Sequence, residues 1–336
     1  MIASVEQSRA LSSANRGAKW LLALQRPDGS LQDSSRLDAY YKSPFALIVV
    51  GHNLQAERLF DYIERCLLKE DGDLDGSGVE WFERFRIYPH SWLAIAAVMR
   101  GRFRLAHCLL RTLAAYHHEE EGGFFATAEG CKQRQGRQEI MTTSLAGLAC
   151  LWAGRRDIAM STGQWLRRIY DAQPDLSRGL YTVWDTRNGL VTQFPESEAK
   201  GFLVDASQPG QWYFQYGISA AFLSSLSAAT QGKEWLELAR KFLHASKYCR
   251  EDVHRRPASG KIGWGAAWCY QLSGDREDKE IAEAVMEGLL ALQNEDGSWS
   301  ATGIRRDKSV CASEPDIDVT AELTGLLGCM GLIIPS

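Results

Sequence analysis

The chain has little of what would place a protein in a membrane, outside the cell or on a nucleic acid. Its formal net charge is −4, so it offers no basic field for a nucleic acid partner. No apolar run reaches the roughly eighteen residues that a membrane span needs. The polar segment 1–17 lacks the basic and apolar regions of a signal peptide. These absences predict a cytoplasmic protein with no nucleic acid partner and no transmembrane segment.

Motifs for metals and organic cofactors are missing as well. The sequence contains no C-x-x-C pair, phosphate-binding glycine loop, H-E-x-x-H, G-x-S-x-G, dinucleotide fingerprint or D-D-x-x-D motif. Segment 71–76 resembles the first half of a calcium loop, but Phe82 stands where the bidentate glutamate belongs. The eight scattered cysteines fall partly inside apolar runs, which favours buried reduced thiols over disulfides or zinc ligands. We therefore expect no metal and no organic cofactor.

What the chain does have is a repeat of two helices joined by a short turn that contains glycine. Apolar helices are predicted at 44–50, 89–99, 140–153, 214–229 and 262–272, and each is followed, after such a turn, by an amphipathic helix: 54–68, 102–118, 156–170, 233–248 and 276–292. An amphipathic helix at 5–25 and an apolar helix at 316–330 supply a sixth pair from the two ends of the sequence. The pattern predicts one all-α domain over residues 1–336, a closed (α/α)6 toroid with six inner and six outer helices.

The connections from outer to inner helices are long and must lie on one face of such a toroid. Segments Gly123–Thr127 and Leu180–Trp184 are strand-like, and the Asn188-Gly189 turn predicts a small β-hairpin. We expect segment 172–212 to fold over the mouth of the toroid as a lid. Long loops on a rigid frame are where functional sites usually lie.

Two motifs support a resemblance to a known family. The Q-x3-G-x-W pattern of Gln293, Gly297 and Trp299 recurs near residues 25–31 with leucine in place of tryptophan, and segment 71–78 occupies the equivalent loop. The last inner helix opens with the sequence Asp316-Ile-Asp318-Val-Thr-Ala-Glu. Together these features resemble the toroids of squalene–hopene cyclases, oxidosqualene cyclases, class II terpene cyclases and protein prenyltransferase β-subunits. The resemblance implies the toroid fold and puts Asp318 at the position of the proton donor of the cyclases.

Three side chains are candidate catalytic groups: Asp318, Asp316 and His90. Both aspartates stand where a carboxylate caps a helix, and catalysis would instead need a carboxyl kept protonated in an apolar cavity. His90 follows the first turn of an inner helix, where we expect it to face the mouth as an acid, a base or a structural hydrogen-bonding group. Other polar residues of the mouth loops, from which a pair of glycosidase carboxylates could come, are Asp38, Lys42, Glu139, Asp185, Asp205 and Gln208.

Aromatic residues concentrate where the long connections meet the inner helices. We expect these residues to line the mouth and bind substrate, although core packing explains part of the set: Tyr40, Tyr41, Trp81, Tyr88, Trp92, Trp184, Trp212, Tyr216, Trp264 and Trp268. Such walls suit sugar rings, carbocations stabilised by cation–π contacts, or an extended polyene.

The sequence favours a cofactor-independent cyclase or isomerase that acts on a hydrophobic terpenoid or polyketide-like intermediate. Two other functions stay open: a carbohydrate-active (α/α)6 enzyme (a hydrolase, lyase or sugar epimerase) and a non-catalytic binding protein. An apolar pocket with one or two polar groups would favour the first. Carboxylates on opposite walls would favour the second, and a solidly packed centre the third.

Overall fold

The computed structural model describes residues 8–32, 34–301 and 314–334, which form the predicted all-α (α/α)6 toroid. In chain order the helices are α1 (Arg9–Leu24), α2 (Ser43–Val49), α3 (Asn53–Cys66), α4 (Ile87–Met99), α5 (Phe103–Tyr116), α6 (Ala128–Gln133), α7 (Ile140–Trp152), α8 (Arg156–Asp171), α9 (Phe214–Thr230), α10 (Lys233–Ala245), α11 (Gly260–Ser273), α12 (Arg276–Ala291) and α13 (Ile317–Ile333). Outer helices are α1, α3, α5, α8, α10 and α12, inner helices are α2, α4, α7, α9, α11 and α13, and α6 is a short addition in a long connection. Predicted positions 5–7 and 302–313 lie outside the described residues.

The two rings of helices differ because their sequences differ. Inner helices are apolar on every side: in α4 every residue from Ile87 to Ala97 is buried. Outer helices bury one face only, since their charged residues occupy the other. The first and last described helices, α1 and α13, pack on each other, and α13 also packs on α2 and α11, which closes the ring. Within the described residues no helix is both long and apolar enough to cross a membrane.

Four of the outer helices end in the same glycine turn. After α1, α3, α5 and α12 the chain folds back through a glycine with φ near +90°, a region that favours glycine: Gly29, Gly72, Gly122 and Gly297. A buried apolar side chain follows each of these glycines: Leu31, Leu74, Phe124 and Trp299. Each turn packs against the next outer helix so closely that a Cβ on Gly297 would lie 2.6 Å from the Arg16 carbonyl oxygen of α1.

The Q-x3-G-x-W pattern forms the turn that follows α12, and this turn packs against α1. Gln293 donates from Nε2 to the carbonyl oxygens of Ser13 (3.0 Å) and Gly297 (2.8 Å), and its Oε1 accepts from the Ser13 hydroxyl at 2.7 Å. The fully buried Trp299 indole donates to the Leu289 carbonyl oxygen at 3.0 Å. The motif therefore ties the last outer helix to the first, a structural role that agrees with its presence in proteins of different activity.

Gly122→Ala is expected to destabilise the protein more than Gly274→Ala does. Both glycines have positive φ (+87° and +67°), so each substitution has the backbone cost of roughly 1–2 kcal/mol. Only at Gly122 would the new methyl group also meet a neighbour, the Ser161 carbonyl oxygen at 2.1 Å, whereas nothing lies within 4 Å at Gly274. Overpacking of this kind lowers the free energy of unfolding by a further 1–3 kcal/mol, roughly. Urea unfolding of the two variants measures the difference, and equal losses would contradict the packing role of the turn.

Small sheets lie in the long connections, as predicted. Strands β1 (Arg137–Glu139), β3 (Val183–Asp185) and β4 (Gly189–Leu190) form one antiparallel sheet, and β2 (Gly179–Tyr181) pairs with β5 (Leu203–Asp205) in another. The Asn188-Gly189 turn joins β3 to β4 as a hairpin. Two details of the prediction are wrong. The run 180–184 splits between two sheets because Thr182 turns the chain from one to the other, and the run 123–127 makes only isolated bridges. Short 3-10 segments occupy Leu37–Ala39, Glu196–Gly201, Ser246–Tyr248, Glu251–His254 and Pro257–Ser259.

Candidate functional site

The centre of the toroid is open on the face where the inner helices begin. A cavity of about 340 Å³ lies there. Its lining comes from the connections that follow α1, α3, α8 and α10, from the first turns of α4, α7, α9 and α11, and from the first two turns of α13. The residues of this lining are Arg36, Tyr41, Lys42, Glu80, Trp81, Arg84, Phe85, Tyr88, Met141, Trp212, Phe214, Pro257, Ala258, Lys261, Asp318, Val319, Glu322 and Leu323. Four of the six long connections therefore meet at this cavity, and none of the described lining residues comes from the connections that follow α5 and α12.

Four charged side chains form a buried ion cluster in this cavity. The Lys42 ammonium lies 3.0 Å from Asp318 Oδ1 and also contacts Glu322, which in turn contacts Lys261. Lys261 is only 2% exposed and Glu322 7%. Asp318 and Glu322 lie one turn apart on the same face of α13. The cluster is thus an alternating row of two ammonium groups and two carboxylates.

The pairing in this cluster holds Lys42 and Glu322 in their charged forms. Burial alone would raise the pKa of Glu322, but the two ammonium groups outweigh it and lower that pKa to about 2. Burial alone would likewise lower the pKa of Lys42, yet Asp318 and Glu322 raise it well above its ordinary value. Buried charges persist only when they are paired in this way. Neither Lys42 nor Glu322 therefore exchanges protons near neutral pH.

Aromatic rings form the walls above the ion cluster. Tyr41 meets Trp81 and Tyr88 edge-on, each at a centroid distance of 5.7 Å. On another wall Trp212 stacks on Phe214 at 5.7 Å. The Lys42 ammonium lies 5.0 Å from the centroid of the Tyr41 ring. Apolar ring faces next to charged groups suit a ligand that has both C–H faces and hydroxyl groups.

At the cavity wall, Arg84 approaches Glu139, the last residue of β1. The closest atoms, Arg84 Nη2 and Glu139 Oε1, are 3.6 Å apart, which is longer than a hydrogen bond. Burial raises the pKa of Glu139 to about 7, and Arg84 and Arg137 only partly offset this effect. Glu139 therefore titrates near neutral pH at the edge of the cavity.

A larger groove, of about 960 Å³, runs along the outside of the toroid between α8, α10 and the end of α11. The charged side chains in it serve the helix packing: Arg240 and His244 of α10 bind Asp278 of α12 at 2.8 and 2.9 Å. We place the functional site in the central cavity because the groove lies on the face where outer helices meet solvent.

The three predicted catalytic residues occupy different environments. Asp318 lines the cavity beside Lys42, whereas Asp316 caps α13 by accepting from the Val319 amide at 2.9 Å. The expectation that His90 faces the mouth is wrong. His90 is fully buried away from the lining, where Nε2 lies 3.0 Å from Asp73 and Nδ1 lies 2.9 Å from the Arg86 carbonyl oxygen. Its ring anchors the connection that follows α3.

The predicted aromatic residues divide between cavity and core. Tyr41, Trp81, Tyr88 and Trp212 line the cavity. The other six do not: Tyr40, Trp92, Trp184, Tyr216, Trp264 and Trp268. Among these, Tyr40 donates to the Ser34 carbonyl oxygen at 2.7 Å, and Trp92 stacks on Trp264 at 5.9 Å in the core. For Trp92, Trp264 and Trp268 the position along the inner helix decides the difference, because they lie beyond its first turn.

Sequence reasoning missed half of the ion cluster. Asp318 was a candidate and Lys42 was among the polar mouth residues, but Lys261, Glu322 and Arg84 were not considered. The signal was present, because Lys261 is the single charge of α11 and Glu322 lies beyond the first turn of α13, and both helices are otherwise apolar. A charge at such a position must have a buried partner.

Comparison with known proteins identifies the fold. No protein-family model and no curated protein sequence matches this chain. Among solved structures, D-mannose isomerase superposes with a TM-score of 0.71 at 11% identity, over 98% of this chain and 99% of that protein. The GH76A α-1,6-mannanase from Salegentibacter sp. HEL1_6 gives 0.65 at 11%, over 96% and 99%. A family 76 glycoside hydrolase from a bovine Bacteroides thetaiotaomicron strain gives 0.64 at 11%, over 97% and 78%.

These similarities establish an (α/α)6 toroid of the kind found in carbohydrate-active enzymes. They contradict the terpenoid or polyketide cyclase function that the sequence motifs favoured, because these neighbours are α-mannanases and a sugar isomerase. An inactive variant of the Salegentibacter mannanase, with two consecutive aspartates replaced, was solved in complex with α-1,6-mannotriose. The expectation of a hydrophobic substrate has no support in this comparison, whereas the carbohydrate-active alternative does.

Proposed function

We propose that this protein is a sugar isomerase or epimerase that works in the central cavity. The observation that carries the proposal is the Lys42–Asp318 ion pair beneath the aromatic walls, in which Lys42 Nζ lies 3.0 Å from Asp318 Oδ1. A carboxylate next to an ammonium group can supply the base and the stabilising cation for proton abstraction beside a carbonyl. The similarity to D-mannose isomerase, over 98% of this chain, supports the same reaction class.

Hydrolysis of a glycosidic bond fits this cavity less well. A glycosidase places two carboxyl groups on either side of the scissile bond and keeps one of them protonated. Here Asp318 and Glu322 come from one face of one helix and share the Lys42 ammonium. The pKa of Glu322, which the lysines lower to about 2 against the effect of burial, removes it as a proton donor. The sequence also contains no two consecutive aspartates of the kind replaced in the inactive mannanase.

The proposed reaction proceeds through an enediol formed from the open-chain sugar. The Asp318 carboxylate takes the proton from the carbon next to the carbonyl group, and the electron pair of that C–H bond forms the C=C bond. The Lys42 ammonium donates a hydrogen bond to the oxygen on which negative charge develops. Return of the proton to the former carbonyl carbon gives the ketose when the hydroxyl proton of the neighbouring carbon passes to the former carbonyl oxygen and the new C=O bond forms there. Return of the proton to the opposite face of the original carbon re-forms the first carbonyl group and gives the epimer. No oxidant, reductant or second substrate is consumed.

Segment 172–212 is proposed to act as the lid over this site. Trp212, at its end, lines the cavity, and Gly201 packs against the guanidinium group of Arg84. Closure of such a segment would exclude water from the proton-transfer step.

The direct test is incubation of the protein in D2O with aldoses, their uronates and their 6-phosphates, followed by NMR spectroscopy. We expect one sugar of the panel to give a ketose or an epimer that carries deuterium at the carbon that exchanges its proton. α-1,6-Mannotriose should stay intact under the same conditions. Release of mannose from mannotriose without isomer formation would replace the proposal by hydrolysis, and the absence of any conversion or binding would overturn it.

A further inference from the structure

The guanidinium group of Arg84 is the cation of the cavity with the weakest protein partner among the described residues. The other basic groups of the lining have close carboxylate contacts: Arg36 lies 2.8 Å from Asp38, and Lys42 and Lys261 belong to the ion cluster. In the described part of the chain, the one ion pair of Arg84 is its 3.6 Å contact with Glu139. A guanidinium group has five N–H donors to satisfy.

Packing fixes where this group lies. The guanidinium carbon of Arg84 is 5.1 Å from the Phe85 ring centroid and 5.9 Å from that of Phe202, so two aromatic rings hold it. Its side chain is 30% exposed and belongs to the cavity lining. A planar cation held by rings and left with unused donors at a cavity wall matches the geometry of carboxylate and phosphate recognition.

Glu139 is a weak competitor for Arg84. The buried carboxyl group is half protonated near pH 7, because burial raises its pKa more than Arg84 and Arg137 lower it. Glu80 also lines the cavity, but no ion pair joins it to Arg84 within the described residues. At neutral pH the positive charge of Arg84 is therefore only partly compensated by the protein.

We propose that Arg84 binds an anionic group on the sugar, a carboxylate or a phosphate ester, so that the substrate is an acidic sugar. This inference rests on the proposed function, because it assumes that a sugar occupies the central cavity. It assigns the aromatic walls to the sugar ring, the Lys42–Asp318 pair to the reacting carbons and Arg84 to the charged end of the molecule.

Calorimetric binding of three sugars that differ only at carbon 6 tests the proposal: D-mannose, D-mannuronate and D-mannose 6-phosphate. We expect at least one of the two anionic sugars to bind at least about tenfold more tightly than mannose. Arg84→Gln should weaken that binding by roughly 10- to 100-fold, as expected for a charge-assisted hydrogen bond, and should leave mannose binding within about twofold. Arg84→Lys should restore part of the loss. Arg104→Gln, which removes an exposed charge of the same sign from α5, is the matched control and should change nothing.

The outcomes separate the two proposals. If mannose binds as tightly as both anionic sugars, or if Arg84→Gln weakens all three equally, the role of Arg84 is wrong while a sugar site remains. If none of the three binds, the proposed role of Arg84 fails, whereas the proposed function fails only if the D2O experiment also shows no conversion. A preference for the uronate over the phosphate, or the reverse, identifies the anionic group.

The pH dependence of mannuronate binding gives a second readout. As the pH rises through about 7, Glu139 ionises, competes for Arg84 and repels the ligand, so the affinity should fall. The variant Glu139→Gln should bind mannuronate with an affinity that is constant over the same range, since mannuronate itself stays ionised there. An unchanged pH profile in this variant would contradict the competition between Glu139 and the substrate anion.

Discussion

Replacing Glu322 with glutamine is expected to lower the free energy of unfolding by about 3–5 kcal/mol, because breaking a buried ion pair leaves its partner charge uncompensated. Glu322 contacts both Lys42 and Lys261, and Lys261 is 2% exposed with no other carboxylate contact among the described residues. Chemical denaturation measures the change. Glu287→Gln is the matched control: Glu287 pairs with Arg9 at 2.8 Å on the surface, where such a pair contributes less than about 1 kcal/mol.

The same variant should also change the response to acid. The lysines hold the pKa of Glu322 at about 2 against the effect of burial, below its ordinary value of 4.5. A depressed pKa gives stability that is fully present above pH 4.5 and is lost as the pH falls towards 2. In Glu322→Gln the free energy of unfolding should therefore depend less on pH between 4.5 and 2. Part of the slope remains, since His90 and Arg86 lower the pKa of Asp73 despite its burial. Equal slopes in variant and wild type would contradict the ionised state of Glu322.

Replacing Asp318 with asparagine is expected to reduce turnover of the sugar substrate by roughly 10²–10⁴-fold, the usual contribution of a general base. The amide keeps the shape of the side chain but cannot accept the proton. The fold should survive, because Lys42 retains Glu322 as its partner and Asp318 is partly open to the cavity. Initial rates and the exchange of substrate protons with D2O measure the loss.

Asp316→Asn is the control for this experiment. Asp316 lies two residues away at the same helix end, where it caps α13 through the Val319 amide. Asparagine caps helices about as well as aspartate, so this variant should keep both stability and turnover. Full activity of Asp318→Asn in a correctly folded protein would remove Asp318 as the base. Equal losses in the two variants would instead indicate that the helix end, and not its chemistry, had been disturbed.

The fold could be predicted from the sequence because its signals are local and repeated. Glycine turns and the alternation of apolar with amphipathic helices depend only on residues a few positions apart, and all twelve long helices appear where they were expected. The pairing of α1 with α13 followed from counting, since each was left without a neighbour in sequence. The motif of Gln293 and Trp299 indicated the toroid correctly for the same reason, as it describes how one helix end meets the next.

The site could be predicted only in part, because its chemistry depends on contacts between distant residues. Asp318 was found through its motif, but the motif did not reveal that Lys42 lies 3.0 Å away. Tyr88 and Trp92 lie four residues apart on α4, yet only Tyr88 reaches the cavity. Such differences of depth are invisible in a pattern of residue types.

Because α1 and α13 are in contact, the ring of helices could be opened at a different turn without separating any helix pair. Ser8, which caps α1, donates from its hydroxyl to the Gly331 carbonyl oxygen of α13 at 3.4 Å. A circularly permuted protein, opened at the exposed turn between α7 and α8 and joined by a linker across this seam, would keep every helix pair. Because the cavity is built from all around the ring, such a permutation should leave its shape and binding unaltered.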